Sequence, residues 1–492
     1  MSPVDVVESV HPLRDPHPGA EVAQAQLALA RAYRASGGVR PLLDRLHGAR
    51  DPGEIAEIVH RQMAVVSGTL FNAPGEHPAE LRRRHALTLG LTDIDLSYRS
   101  LYPGLDVGLY GCSHSMGIPS IAGPAAVVDQ LGQLVRDGIG VWDDGVWPDV
   151  MDRYREACAQ LVGGDLAHGD VAWAPNVSEV LSAVLESIEG GTLVFTSGHF
   201  TTGHYVHHQW AQNTGGQLRE VKTDPDGSVP TDRVVDALDG EVRVVSLSHA
   251  LFESGWVQDL HTVATEMQRR CPEAILLVDA YQTAGTVPID ARVLGDHTIV
   301  TAGGHKQLRA SAGAGFVYVP RSLLPRILPR RTGWWGHAAP FGFEKGAVRR
   351  AEDATRLRTG TPTLAGMAML LGELAALASS ADGSISGGVL RARTVTRRLV
   401  TRMLEQAREL GLEVRGDWDA ERRGAFVCLR VPNGAAVVER LGHEGIRVDV
   451  RPVVPGESDG WVRVSGNGAG FGYEVDAVLQ AIAAHGVHPP AG

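Results

Sequence analysis

An aspartate and a lysine, each delivered at the end of an apolar run, set the chemistry that this chain can attempt. Ile275–Val278 is wholly apolar and breaks into Asp279. Thr298–Thr301 passes through Ala302-Gly303-Gly304 to His305 and Lys306, and a third run, Gly315–Val319, stops at Pro320. Short apolar runs bounded by turn residues are the pattern of buried parallel strands. Two strand ends therefore present an acid and an amine 27 positions apart, with glycines that let the backbone approach a ligand closely. A lysine can form a Schiff base with pyridoxal 5'-phosphate. An aspartate can keep the pyridine nitrogen protonated, so that the ring draws electrons from the α-carbon of an amino acid. The plain alternative is an aspartate that caps a turn and a lysine that sits in solvent; the apolar strand before each residue weighs against it.

The elements that must position this pair follow a β-α-β rhythm. Strands are expected at Leu193–Thr196 and Val242–Leu247, and helices at Ala125–Arg136, Val150–Leu161 and Leu260–Cys271. That alternation predicts an α/β chain with a mainly parallel sheet, helices on both faces, and its site at the strand C-termini. Asn176, with Glu179 three residues on, reads as a helix start, and Val180, Leu181, Val184, Leu185 and Ile188 form its apolar face. Such a start is either an ordinary cap or a seat for a phosphate. Towards the C-terminus a long helix (Gly388–Leu410) precedes strand Ala425–Val431, helix Ala435–Glu444, strands Ile446–Val450 and Trp461–Ser465, and helix Tyr473–His485. Arg463 lies mid-strand between apolar neighbours. It either faces the surface or needs a buried partner, and a substrate carboxylate would supply one.

The stretch around Asp279 and Lys306 resembles the cofactor core of class V, fold-type-I pyridoxal phosphate enzymes. Gly333-Trp334-Trp335-Gly336-His337 is similar to the GWWGH signature of kynureninases, and the resemblance spans residues from about 95 to about 485. It implies a large cofactor-binding domain over 96–375 and a smaller α+β domain over 376–492, preceded by a mostly helical arm over 1–95. It implies that Asn176, Val177 (through its backbone), Ser178 and His305 hold phosphate, that Phe200 stacks on the ring, and that Thr202, Gln282 and His204 stand beside it. Arg463 and Trp334 would meet the substrate. Arg358-Thr359-Gly360-Thr361-Pro362 resembles the R-x-G-T loop, whose Gly360 and Thr361 would touch the cofactor of a second subunit, which implies a homodimer with sites at its interface. Four positions depart from the kynureninase pattern: Asn176 for threonine, Gly203 for aspartate, Gln282 for histidine, and His305 for tyrosine.

Composition bounds the rest. Hydrophobic residues at 43% and charged residues at 21% over 492 positions fit two or three packed domains, and a net charge of −11 argues against nucleic acid or an anionic membrane as partner. Cys112, Cys158, Cys271 and Cys428 have no ligand-like spacing, and His199, His204, His207 and His208 match no zinc signature, so no metal is expected. The absence of a signal-like or membrane-spanning stretch predicts a cytoplasmic location. The N-terminal arm, with Ile55, Ile58, Val59 and Met63 at helical spacing, would either cover the site or extend a dimer interface. The expected activity is that of a lyase acting at Cβ of an α-amino acid, by kynureninase-like C–C cleavage or elimination from an S-conjugated cysteine. The alternatives are an aminotransferase, a decarboxylating or oxidatively deaminating enzyme of the same fold and, remotely, a catalytically silent scaffold.

Overall fold

The computed structural model describes residues 18–35, 77–453, 456 and 458–486. The stretch that carries Ile55, Ile58, Val59 and Met63 lies outside them. The centre is a seven-stranded sheet of β2 (Gly169–Ala174), β3 (Thr192–Thr196), β4 (Gln217–Val221), β5 (Val242–Ser248), β6 (Ile275–Asp279), β7 (Thr298–Gly303) and β8 (Gly315–Pro320), in the order β2-β8-β7-β6-β5-β3-β4. The neighbours β7-β6-β5-β3-β4 pair in parallel, and β8 runs antiparallel to both β7 and β2. Successive side chains of one strand point to opposite faces, and both faces are covered here. Leu276 and Val278 join one apolar cluster, with the helices Val146–Leu161, Leu260–Arg270 and Leu364–Ser379; Ile275 and Leu277 join another, with the helix Val177–Leu185. The result is a three-layer α/β domain, as the β-α-β rhythm predicts.

The smaller domain is built on an antiparallel sheet of β9 (Phe426–Val431), β12 (Gly460–Ser465) and β11 (Asp449–Pro452). Its core is shared with the helices Ile385–Glu409, Gly434–Glu444 and Gly472–Gly486. The single strand expected over Ile446–Val450 is two. β10 (Ile446–Arg447) pairs in parallel with β1 (Leu109–Tyr110), and β11 turns to pair with β12 instead. The chain changes partner at Val448, which is buried.

The described part of the N-terminal arm is tied to this smaller domain. The helix Pro18–Ala35 packs on the helix Gly472–Gly486, and Val22, Ala23 and Leu81 enter the core of the smaller domain. Arg99, 1% exposed, donates to Asp106 and Glu474 at 3.0 and 2.7 Å, and Arg82 reaches Asp106 at 2.7 Å. Buried charges need partners of this kind. No described helix is long and apolar enough to cross a membrane.

Candidate active site

Asp279 and Lys306 stand at and just beyond the C-terminal ends of β6 and β7, where the charges of Arg463, Arg451 and Asp449 of the smaller domain reach the lysine. Asp279 closes β6 and is 6% exposed; its Oδ1 accepts the Tyr281 N–H at 2.9 Å. Burial raises its pKa, against the pull of that N–H and of the Lys306 charge. Lys306, three residues past β7, is half-buried, and among the described residues its amine has no hydrogen bond. Its Nζ lies 5.6 Å from the centroid of the Phe200 ring and 5.8 Å from that of Tyr281. Burial lowers its pKa to about 8. Asp279 opposes that shift, and the charges of Arg463 and Arg451 reinforce it.

Two helix starts converge beside this pair. Asn176 caps the helix Val177–Leu185 through its side chain, accepting from the Glu179 N–H at 3.0 Å. The helix Thr201–Thr214 begins after Phe200 with no side-chain cap; the Gly203 N–H turns back to the Phe200 carbonyl at 2.8 Å, and the Thr201 and Thr202 N–H groups are left for a ligand. Ser178 Oγ lies 3.4 Å from Thr202 Oγ1, so the two starts meet. His305 sits over the edge of Tyr281, with ring centroids 6.0 Å apart. Gln282 is buried, and its Oε1 has no partner.

Arg463 is 2% exposed, and the partner it requires is in the chain. Asp449, directly opposite on β11, takes Nε at 2.9 Å and Nη2 at 2.5 Å. Nη1 donates to the Phe252 carbonyl at 2.7 Å, and Nη2 also reaches Ser115 Oγ at 3.2 Å. His114 and Ser115 hold the same carboxylate at 2.8 and 2.7 Å. These hydrogen bonds and the Arg463 charge outweigh burial and keep Asp449 ionised far below the usual carboxylate range. Four of the five guanidinium N–H groups are thus engaged within the chain, so an incoming carboxylate would have to displace the Phe252 or Ser115 contact. The loop carrying His114 and Ser115 lies directly on the lysine: the Gly117 N–H donates to the His305 carbonyl at 2.8 Å, and a Cβ on Gly117 would come within 2.2 Å of the Lys306 carbonyl oxygen.

Lys306, Asp279, Phe200, Thr202, Ser178 and the Val177 helix start therefore come together. Arg463 is joined to them through Phe252, whose ring lies 5.2 Å from that of Phe200. Four expected residues make other contacts. Trp334 belongs to an aromatic cluster with Trp335 and Phe341, at 4.9 and 5.7 Å. Gly360 and Thr361 follow Thr359, which abuts Gly333 in the same region. His204 turns inward, with Nε2 3.2 Å from the Ser197 carbonyl and its ring against Phe195. The glycine at 203 has a local cause, since an added Cβ would lie 2.5 Å from Nδ1 of the buried His199. His199 and His207 are occupied with Ser246 and Ser248, and among the described residues no group of three or more His, Cys, Asp or Glu is placed to hold a metal.

Residues 148–449 match the aminotransferase class-V family. The chain belongs to that family. An uncharacterised aminotransferase of Bacillus subtilis (strain 168), YcbU, is 30% identical over 272 residues, 54% of this chain and 68% of the relative. A kynureninase of Pseudomonas fluorescens is 26% identical over 359 residues, 70% of this chain and 82% of the relative. Among solved structures, the cystine C–S lyase C-DES in complex with cysteine persulfide superposes with a TM-score of 0.68 at 20% identity, over 78% of this chain and all (100%) of that one. A cysteine desulfurase from Thermococcus onnurineus NA1 superposes equally, with a TM-score of 0.68 at 18% identity over 79% and 97%. The fold of this class V protein is fold type I, and its cofactor is pyridoxal 5'-phosphate. The cleft fits that group: an amine without a hydrogen bond, a buried carboxylate, an aromatic face, and two helix starts that meet at Ser178 and Thr202.

Proposed function

We propose that this class V enzyme is a lyase acting at Cβ of an α-amino acid. It would hydrolyse a Cβ–Cγ bond, as a kynureninase does, or release a thiol from an S-conjugated cysteine. The observation that supports this reading is Arg463, oriented by Asp449 near Lys306, where a substrate carboxylate would replace its contacts to Phe252 and Ser115. A carboxylate gripped there is retained, which disfavours decarboxylation. The kynureninase alignment over 82% of that relative points the same way.

When bound, pyridoxal phosphate supplies the electron sink that acidifies the substrate's α-C–H. Phe200 would pack on its face, the N–H groups at Val177 and Ser178 with the Thr202 hydroxyl and His305 would hold its phosphate, and Gln282 with Asp279 would line its ring edge. Asp279 would hold the ring nitrogen protonated. Lys306 accepts the α-proton at Nζ, a task suited to an amine whose pKa of about 8 lies near working pH. The fork of Arg463 fixes the α-carboxylate, so the bond to be broken is oriented before it breaks. We further infer a homodimer, because Arg358-Thr359-Gly360-Thr361 resembles the R-x-G-T loop of class V enzymes, whose Gly360 and Thr361 would reach the cofactor of a second copy.

The test is a spectrum followed by a substrate screen. The expected result is a visible absorbance band that borohydride removes while adding cofactor mass to Lys306, absent in Lys306→Ala. Kynurenine with water should then give alanine and anthranilate, or an S-conjugated cysteine with water should give thiol, pyruvate and ammonia. Amino transfer to an added keto acid without any of these products would overturn the lyase reading in favour of an aminotransferase. Protein that pyridoxal phosphate cannot reconstitute would overturn the enzyme reading altogether.

A further inference from the structure

Lys306 opens a tight turn whose last residue, Arg309, holds a costly backbone. The Arg309 N–H donates to the Lys306 carbonyl at 3.0 Å, and its φ is +60°, in the left-handed region that residues with a side chain avoid. Phe343 and Asn433 share that region among the described residues, but both are exposed, whereas Arg309 is 5% exposed. A buried residue keeps such a conformation only where its surroundings enforce it.

Here the side chain is what the surroundings hold. Its Nη1 donates to the Tyr98 hydroxyl at 3.3 Å, and its Cζ lies 4.5 Å from the centroid of the Tyr102 ring. The two tyrosine hydroxyls are 3.0 Å apart, so the pair forms one cradle. A Cβ on Gly117 would come within 2.7 Å of Arg309 Cγ, so the Gly117 loop packs against the stem. Tyr98 belongs to the helix Asp93–Ser100, where Arg99 is fastened to Glu474 and to the Ala469 carbonyl at 2.7 and 2.9 Å. Arg391 lies over the Tyr98 ring at 5.0 Å and donates to the Gly468 carbonyl at 3.2 Å. The lysine turn is thereby tied to the smaller domain, which also carries Arg463.

Arg309 has no room to bind a ligand. The carboxylate whose charge reaches it is Glu373, and Oε1 of that group is taken by the Ser120 N–H at 2.8 Å and the Ser120 hydroxyl at 3.0 Å. The cavity that Arg309 shares with Glu373 and Gln307 measures about 10 Å³, the room of a single water. No substrate or organic anion fits there, so Arg309 acts through what it holds.

We propose that Arg309 is a positioning residue for Lys306: its guanidinium, clamped by Tyr98 and Tyr102, fixes the turn that sets where the lysine amine stands. The proposal rests on Lys306 as the reactive amine and not on which bond the enzyme breaks. The charges that act most on that amine are those of Asp279, Arg463, Arg451 and Asp449, so a variant of Arg309 changes its titration by moving the turn.

The experiment follows Lys306 in cofactor-free full-length protein by its reactivity towards trinitrobenzenesulfonate across pH. Lys306→Ala is the blank for Lys222 and Lys345, the other lysines of the chain. Arg309→Asn removes the guanidinium and supplies a residue that accepts left-handed backbone. Its lysine should titrate about one pH unit closer to the ordinary value near 10.4, with cooperative urea unfolding retained. With a substrate in hand, kcat should fall by about a hundredfold while KM stays within about twofold, because Arg463 is untouched. Arg309→Lys, which keeps a cation over the Tyr102 ring, should recover part of both losses. An unchanged lysine titration in Arg309→Asn would overturn the assignment, as would a raised KM at unchanged kcat, the mark of a binding arginine. Should Arg309→Asn fail to fold, Tyr98→Phe removes one hydroxyl, and a titration identical to the wild type there would overturn it equally. Protein that pyridoxal phosphate cannot reconstitute still gives this titration, so failure of the enzyme reading and failure of this one are told apart.

Discussion

Removing the Asp449 carboxylate tests whether Arg463 is positioned by its own chain. In Asp449→Ala, the guanidinium loses bonds of 2.9 and 2.5 Å while staying 2% exposed, and His114 and Ser115 lose bonds of 2.8 and 2.7 Å. Breaking a buried ion pair from one side costs about 3–5 kcal/mol, because the remaining charge has no partner. The His and Ser bonds belong to the same network, so their loss lies largely inside that figure rather than adding to it. Urea unfolding of cofactor-free protein should show a deficit of about 3–5 kcal/mol for Asp449→Ala, and the double variant Asp449→Ala/Arg463→Met should recover about 2 kcal/mol or more of it. The sign with pH follows from the depressed folded pKa of Asp449. Its stabilisation is complete above its unfolded value of about 4 and is lost only as pH falls through the much lower folded value. The deficit should therefore be constant from about pH 5 to pH 8. Turnover with a substrate in hand should show a raised KM before a lowered kcat, because the misplaced group binds the carboxylate. A deficit below about 1 kcal/mol, or a double variant no better than the single, would refute the coupling.

Three further outcomes follow from the same geometry. In cofactor-free protein the reactivity of Lys306 towards trinitrobenzenesulfonate should titrate near pH 8, move lower in Asp279→Asn and higher in Arg463→Met; a titration at the ordinary lysine value would contradict the burial argument. Glu373, raised to about 7 chiefly by burial, stabilises the fold below its unfolded value near 4.5 and loses that contribution as pH rises through 7. Stability should fall by about 1.4 kcal/mol per pH unit across that window in the wild type, measured against Glu373→Gln as reference, and identical slopes in the two proteins would rule Glu373 out. Gly203→Asp, which restores the kynureninase residue, should destabilise by about 1–3 kcal/mol because its Cβ meets the His199 ring, and His199→Ala should relieve it. An unperturbed melting temperature in Gly203→Asp alone would show that the ring can move aside.

The part of the cleft that was legible in the sequence is the part carried by local pattern. Asp279 and Lys306 follow apolar runs long enough to read as buried strands, and Asn176 announces a helix start by its type and by its spacing from Glu179. Strands β5 to β8 stand within a few residues of their expected bounds, since each carries a short apolar run. β4, by contrast, reads Gln-Leu-Arg-Glu-Val, the polar sequence of an edge strand, and carries no such signal. What stayed hidden depends on pairing between distant segments. Nothing near Arg463 names Asp449 as its partner; only the antiparallel register of β11 on β12 sets them opposite each other. His114 and Ser115 lie in a loop rich in small residues and gain meaning only where that loop crosses the lysine.

The same distinction orders the two arginines. Arg463 and Arg358 are both buried, and both follow apolar or small neighbours in sequence, so local pattern cannot rank them. The structure separates them by their partners. Arg463 is fully engaged by Asp449, Phe252 and Ser115, so an arriving carboxylate meets an oriented fork and need not neutralise a bare charge. A pre-neutralised arginine of this kind supports turnover, because substrate binds by exchanging one hydrogen-bonded state for another and leaves without stranding a buried cation. Arg358 has no such partner among the described residues, so its charge stays uncompensated where that of Arg463 does not.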